Sequence, residues 1–231
     1  MALSLGGRRI GGLALLLVVT GGCAGGTADD GTGGSPETGS NLQKADFVDS
    51  PYRAPWSCGE KYYVSQGNDG DLCQADNGDH ILIQNYAWDF ALPRHTAVRA
   101  ARGGVETLAT NTVAPGDSCY DGCAFDFGSS EFTDCCKRCL LLSNRVNVQH
   151  EDGSVATYWH LDQATVRAGQ KIAAGDQLGW SGTSGCSTGP HLHFQVMGSC
   201  PTGYCQSSGI QFAEAGVPKC GDRVESANLC N

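Results

Sequence analysis

Apolar and polar residues alternate with a period of two along several short stretches of this chain, the signature of strands with one buried face. Over residues 86–92, Trp88, Phe90 and Leu92 point one way, and Ala87, Asp89 and Ala91 the other. Residues 98–110 form a second strand region, broken at Gly103-Gly104. Residues 144–149 and 155–160 flank Glu151-Asp152-Gly153 and predict a β-hairpin. Residues 165–189 carry glycines at Gly169, Gly175, Gly179, Gly182, Gly185 and Gly189, which predict tight turns; no Gly-Lys-Ser/Thr follows, so this is not a phosphate loop. Residues 191–196 are the last clear core strand. Residues 46–79 read as a loop-rich approach, 113–139 as an irregular insert, and the tail after Met197 as loops. The mixture favours short strands and tight turns over long helices.

The start of the chain has no such pattern. Residues 1–23 read as an export signal: Arg8 and Arg9 precede an apolar run too short to span a bilayer. Thr20-Gly-Gly-Cys23 is similar to a lipoprotein cleavage box, which would make Cys23 a lipid anchor; an ordinary secretion signal cut nearby is the alternative. Residues 24–45 are rich in Gly, Thr, Ser and Asp and predict a flexible tether. The folded part is then expected over 46–231, long enough for one domain with a core.

Thirteen cysteines in 231 residues change the picture most. Setting Cys23 aside leaves an even number, which in an exported chain means disulfides and an oxidising location. A zinc site built from Cys119, Cys123, Cys135, Cys136 and Cys139 is the competing idea, but their spacing is not a paired C-x-x-C array. Cys58 and Cys73 are expected to staple the approach segment. Five insert cysteines is an odd number, and Cys135 and Cys136 are neighbours, between which a bond is strained. One insert cysteine must therefore pair outside. If the four tail cysteines pair among themselves, only Cys186 is left, and it would tie the insert to the Gly-rich turn before His191; alternatively the tail supplies the partner and Cys186 bonds Cys200 or Cys205. The formal net charge is −9, and loss of Arg8 and Arg9 makes the mature chain more acidic still. That excludes electrostatic attraction to nucleic acid or anionic membranes. A monomer is expected.

The chemistry concentrates in Gly189-Pro-His-Leu-His-Phe-Gln-Val196. Residues two apart on a strand share a face, so His191 and His193 project together while Leu192, Phe194 and Val196 face a core. Two imidazoles so placed can serve one metal centre, or they can be surface histidines on an edge strand. Asp89 sits among small residues on a strand whose other face is bulky. A carboxylate there needs partners, either a metal or hydrogen bonds. His160 similarly ends a strand that carries Val155, Thr157 and Trp159.

Three motifs resemble the lysostaphin/LytM-type zinc endopeptidases. The first is His80, then Asp89 within Tyr86-Ala-Trp-Asp-Phe-Ala-Leu-Pro93. The second is Asn144-Arg-Val-Asn-Val-Gln-His-Glu-Asp-Gly153 leading to Tyr158-Trp-His-Leu161. The third is Gly179-Trp-Ser-Gly-Thr-Ser-Gly-Cys-Ser-Thr-Gly-Pro-His-Leu-His-Phe194. They cover about residues 80–197. The resemblance implies an all-β fold, an antiparallel sheet with a groove over one face. It implies His80, Asp89 and His193 as zinc ligands and His160 and His191 as the catalytic pair, acting on peptidoglycan peptides. Most members place the first histidine four residues before the aspartate, where Asn85 stands here; a subset has the longer spacing that fits His80. The usual Gly before Thr96 is His95, which lines the groove or is a surface turn residue. A non-catalytic cell-wall binding protein on the same fold is the alternative function; such relatives lose zinc ligands, and here all five residues are present.

Overall fold

The computed structural model describes residues 49–68, 71, 80, 82–126, 128–199 and 205–230. The expected signal, Cys23, the tether, Cys73 and Cys200 lie outside the described residues. The strands are β1 (Lys61–Gln66), β2 (Trp88–Phe90), β3 (Ala97–Arg99), β4 (Gly104–Thr110), β5 (Asn144–Gln149), β6 (Val155–Ala164), β7 (Lys171–Ile172), β8 (Gln177–Ser181), β9 (Leu192–Met197) and β10 (Arg223–Glu225). One helix, α1 (Ser130–Cys139), stands between β4 and β5. The sheet runs β10-β1-β2-β9-β6-β5-β4-β7, with β8 bridging β6 and β3, and its pairings are antiparallel. The all-β expectation holds for the scaffold.

Pleating sorts the central strands into two faces. Trp88 and Phe90 of β2, Leu192, Phe194 and Val196 of β9, Tyr158 of β6, and Val146 and Val148 of β5 share one core with Trp56 and Phe212. Their rings meet edge-on, with Phe90 4.9 Å from Trp56 and Trp88 5.1 Å from Phe212 between centroids. Each such fully buried side chain contributes roughly 1.5–3 kcal/mol. The opposite face is polar. Asp89 of β2 stands opposite His193 of β9, which stands opposite Trp159 of β6. This register sets one row of functional side chains across three strands, pinned because a slip by one residue would send the aromatics into solvent.

The structure departs from the pattern at four places. The insert is not wholly irregular, because α1 runs through it. Ser129 caps it, its Oγ accepting the Phe132 N–H at 3.1 Å, while Glu131 opens it and Lys137 and Arg138 close it, all of which favour a helix. Strand β2 is shorter than the alternation, since Tyr86 and Ala87 precede it and Ala91 and Leu92 follow it. β6 runs past His160, but with a bulge: Asn144 pairs with Leu161 and Val146 with Tyr158, and His160 adopts φ 63°. The tail is mostly loop but adds β10 beside β1.

The disulfides correct one pairing. Cys58 bonds Cys230, not Cys73. The tail runs beside residues 57–60, where the Gly59 N–H donates to Ser226 O and the Ser226 N–H to Glu60 O, so the partner nearest in space is distant in sequence. The tail cysteines therefore do not all pair among themselves. The insert bonds Cys119 to Cys139 and Cys123 to Cys135, and its odd cysteine, Cys136, bonds Cys186. Cys123, Cys135 and Cys139 lie close enough together to suggest a metal cluster, but their sulfurs are held in disulfides and offer no thiolate.

Candidate metal centre

Asp89 gathers three imidazoles. Its Oδ1 lies 2.9 Å from His193 Nδ1 and 3.3 Å from His80 Nε2, and its Oδ2 lies 3.6 Å from His191 Nε2. One donor atom each from His80, Asp89 and His193 lie within 4.8 Å of one another. Asp89 and His193 reach this point from the paired strands β2 and β9. His80 comes from the chain before β2, with its ring edge-on to His193 at 5.0 Å between centroids. Asn85 lies in the turn just before β2.

The protonation pattern tests whether this set suits a metal. The Gly67 carbonyl accepts from His80 Nδ1–H at 3.1 Å, which turns Nε2 toward Asp89. Gln195 Oε1 stands 3.2 Å from His193 Nε2. Burial holds His193 toward its neutral form, although Asp89 pulls the other way. A neutral imidazole has one N–H for two acceptors, Gln195 and Asp89. If Nε2–H serves Gln195, the Nδ1 lone pair faces a carboxylate oxygen, an arrangement that a cation between them resolves. Burial raises Asp89, but the neighbouring His80 and His191 outweigh it and hold the carboxylate well below its usual range. Burial lowers His80, and Asp89 more than offsets it, so His80 is raised above its ordinary value. Two imidazoles, one carboxylate and outer acceptors on both rings fit zinc with an open fourth position.

His160 and His191 stand beside this set, 4.5 Å apart between ring centroids. The Ser184 carbonyl accepts from His160 Nδ1–H at 2.8 Å, and the Gly189 carbonyl from His191 Nδ1–H at 2.8 Å. Both rings therefore carry a proton on Nδ1 and turn Nε2 away from the carbonyl that holds them. Burial and the neighbouring His191 and His193 push His160 down to about 3. The positive φ of His160 is unusual for a residue with a side chain. Ser143 Oγ supports it by accepting the His160 N–H at 3.1 Å.

His95 is a surface residue, with φ 62° and a side chain 71% exposed. Its Nδ1 is 3.1 Å from Asp162 Oδ2, whose other oxygen accepts from Arg94 at 2.6 Å. Sequence reasoning missed Gln195 and the carbonyls of Gly67, Ser184 and Gly189. Gln195 was within reach, because it continues the alternation that projects His191 and His193; the carbonyls carry no side-chain signal.

The family model described as Peptidase family M23 matches residues 136–203. The chain is similar to M23 peptidases over that stretch. That stretch includes β5, β6, β8 and β9, and with them His160, His191 and His193; His80 and Asp89 precede it. Glycyl-glycine endopeptidase ALE-1 of Staphylococcus capitis is 44% identical over 55 residues, 23% of this chain and 15% of that protein. Peptidoglycan DD-endopeptidase ShyA of Vibrio cholerae is 41% identical over 54 residues, 23% of this chain and 13% of that protein. The matches thus span less than a sixth of these curated relatives. Among solved structures, the catalytic domain of lysostaphin from Staphylococcus simulans aligns with 27% identity and TM-score 0.41, over 63% of this chain and 88% of that one.

Proposed function

We propose that this protein is a zinc-dependent endopeptidase that cuts cross-links or stem peptides of bacterial peptidoglycan. The observation that carries the reading is the convergence of His80, Asp89 and His193 donor atoms within 4.8 Å, beside a second histidine pair. In this reading His80 Nε2, an Asp89 oxygen and His193 Nδ1 hold the metal. Zinc, when bound, polarises the scissile carbonyl and makes water nucleophilic near neutral pH. Gly67 and Gln195 orient the two ligand rings. His160 and His191 each direct Nε2 toward the groove, with Nδ1 held by a backbone carbonyl. One takes a proton from the attacking water and passes it to the leaving amine; the other stands beside the developing oxyanion and helps to stabilise it.

The substrate class rests on the relatives, whose names describe action on peptidoglycan and on glycyl-glycine bonds. The stretch similar to M23 peptidases and the disulfides support an exported protein, held by a lipid on Cys23 or secreted free. A non-catalytic wall-binding protein is the alternative, and metal dependence separates the two. Purified protein should hold about one zinc per chain, the load expected of a single tetrahedral site. Chelation should stop release of new amino groups from purified peptidoglycan, and added zinc should restore it. Zinc-free protein as purified, with no hydrolysis after zinc is added, contradicts the reading.

A further inference from the structure

The 182–189 loop sets both of the paired histidines through its backbone, Ser184 O holding His160 and Gly189 O holding His191. Ser187 Oγ shares that acceptor, donating to Gly189 O at 2.8 Å, and lies 3.4 Å from His191 Nδ1. Apart from Cys186 and Gly182, Gly185 and Gly189, the loop consists of Thr183, Ser184, Ser187 and Thr188, so it has no apolar side chain to anchor it. On the sheet side Ser184 Oγ donates to Leu161 O at 2.7 Å and accepts the Asn144 N–H at 3.0 Å, and the cysteine-rich insert anchors the other side. Gly185 N–H donates to Cys119 O at 2.8 Å, and Cys123 N–H donates to Ser187 O at 2.6 Å. Gly122, at φ 73°, lies so close that a Cβ there would stand 2.6 Å from Ser187 O and 2.7 Å from Thr183 O. The Cys136–Cys186 bond closes the contact covalently. The insert is itself braced by Cys119–Cys139 and Cys123–Cys135. Next to Gly122, Asp121 accepts from Arg94 at 2.6 Å, and the Arg94 guanidinium sits 4.9 Å over the Tyr120 ring.

We propose that the insert is a positioning element: Gly122 and the Cys136–Cys186 bond clamp the 182–189 loop so that its carbonyls hold His160 and His191 in the Nδ1–H tautomer. The proposal rests on the reading that these two histidines act as the catalytic pair. Which ring nitrogen bears the proton is set by the hydrogen bond that the other makes. When the loop shifts, Nδ1 loses its acceptor, the proton moves to Nε2, and Nε2 can no longer accept one from the groove. Cys136, Cys186 and Gly122 touch no reacting atom and act only through the loop.

Long-range proton–nitrogen NMR of the histidine rings in zinc-loaded full-length protein reads this directly. Wild type should show His160 and His191 as Nδ1–H. Cys136→Ala combined with Cys186→Ala, and separately Gly122→Ala, should shift both rings toward Nε2–H while leaving the His80 and His193 signals and the zinc content unchanged. Against a defined wall peptide, kcat should fall about 10-fold or more, the scale of lost outer-shell contacts, with KM within about 2-fold. Cys58→Ala combined with Cys230→Ala, a bond on another part of the sheet, should change neither tautomer nor kcat. Unchanged tautomers and kcat in the Gly122 variant, or an equal fall in the Cys58/Cys230 variant, overturn the proposal. Absence of wild-type hydrolysis would instead count against the proposed activity, while the tautomer comparison still decides the positioning role.

Discussion

Asp89 meets His193 and His80 through one oxygen and approaches His191 through the other. Removing it or His193 removes a proposed ligand, so Asp89→Ala and His193→Ala should each lose most bound zinc and nearly all hydrolysis by metal analysis and peptide assay. Full zinc occupancy in both would rule out the ligand set. Gln195→Ala leaves His193 Nε2–H without its acceptor and should weaken zinc binding about 10–100-fold in a competition titration, as loss of outer-shell partners does. His160→Ala should keep zinc and lose about 10²-fold or more in kcat, the scale of a general acid–base group. Away from the metal, His150 tests pH linkage. It is 3% exposed, with Nδ1 2.8 Å from Gly103 O, and burial lowers it despite that contact. Its folded value lies below the unfolded 6.5, so the unfolded chain takes up the proton first. Its share of stability is whole above pH 6.5 and is lost as pH falls through the folded value. His150→Phe should therefore show a smaller drop in Tm between about pH 7 and 5 than wild type; an equal drop would remove His150 from the account.

Strands were easier to read than connections. The alternation through Trp88, Asp89 and Phe90, and again through Leu192, His193 and Phe194, exposes both the core face and the site face, because a pleated strand repeats every two residues. The bulge at His160 was hidden, because nothing in Tyr-Trp-His-Leu asks for a positive φ. The helix carried its own signals in Ser129, Glu131, Lys137 and Arg138, obscured by the density of cysteines around it. Disulfides were legible only by number. An odd count in the insert required one outside partner, and Cys136–Cys186 supplies it; Cys58 was paired with its sequence neighbour when the fold brings Cys230 beside it. That bond closes a separation of 172 residues. Replacing Cys58 and Cys230 by Ala should cost roughly 2–5 kcal/mol in chemical denaturation, by freeing the unfolded chain. A cost near zero would mean that β10 and the hydrogen bonds of Gly59 and Ser226 hold the tail without it.

At the scale of the whole molecule, one antiparallel sheet separates two tasks. An aromatic core on one face fixes the register, and the other face collects Asp89, His193, His160 and His191 from strands far apart in sequence. His80 and the disulfide-braced insert complete that face from outside the sheet. In the proposed reading the molecule is a zinc endopeptidase of the bacterial wall, with His80 and Asp89 joining the stretch that matches the M23 family model. Mass spectrometry of fragments from a defined, cross-linked peptidoglycan tests it most directly. The zinc-loaded protein should yield products with new amino and carboxyl termini at one class of peptide bond, and His193→Ala should yield none. Intact cross-links after incubation with zinc-loaded wild type, with the protein bound to the wall, would contradict the account and favour a wall-binding role.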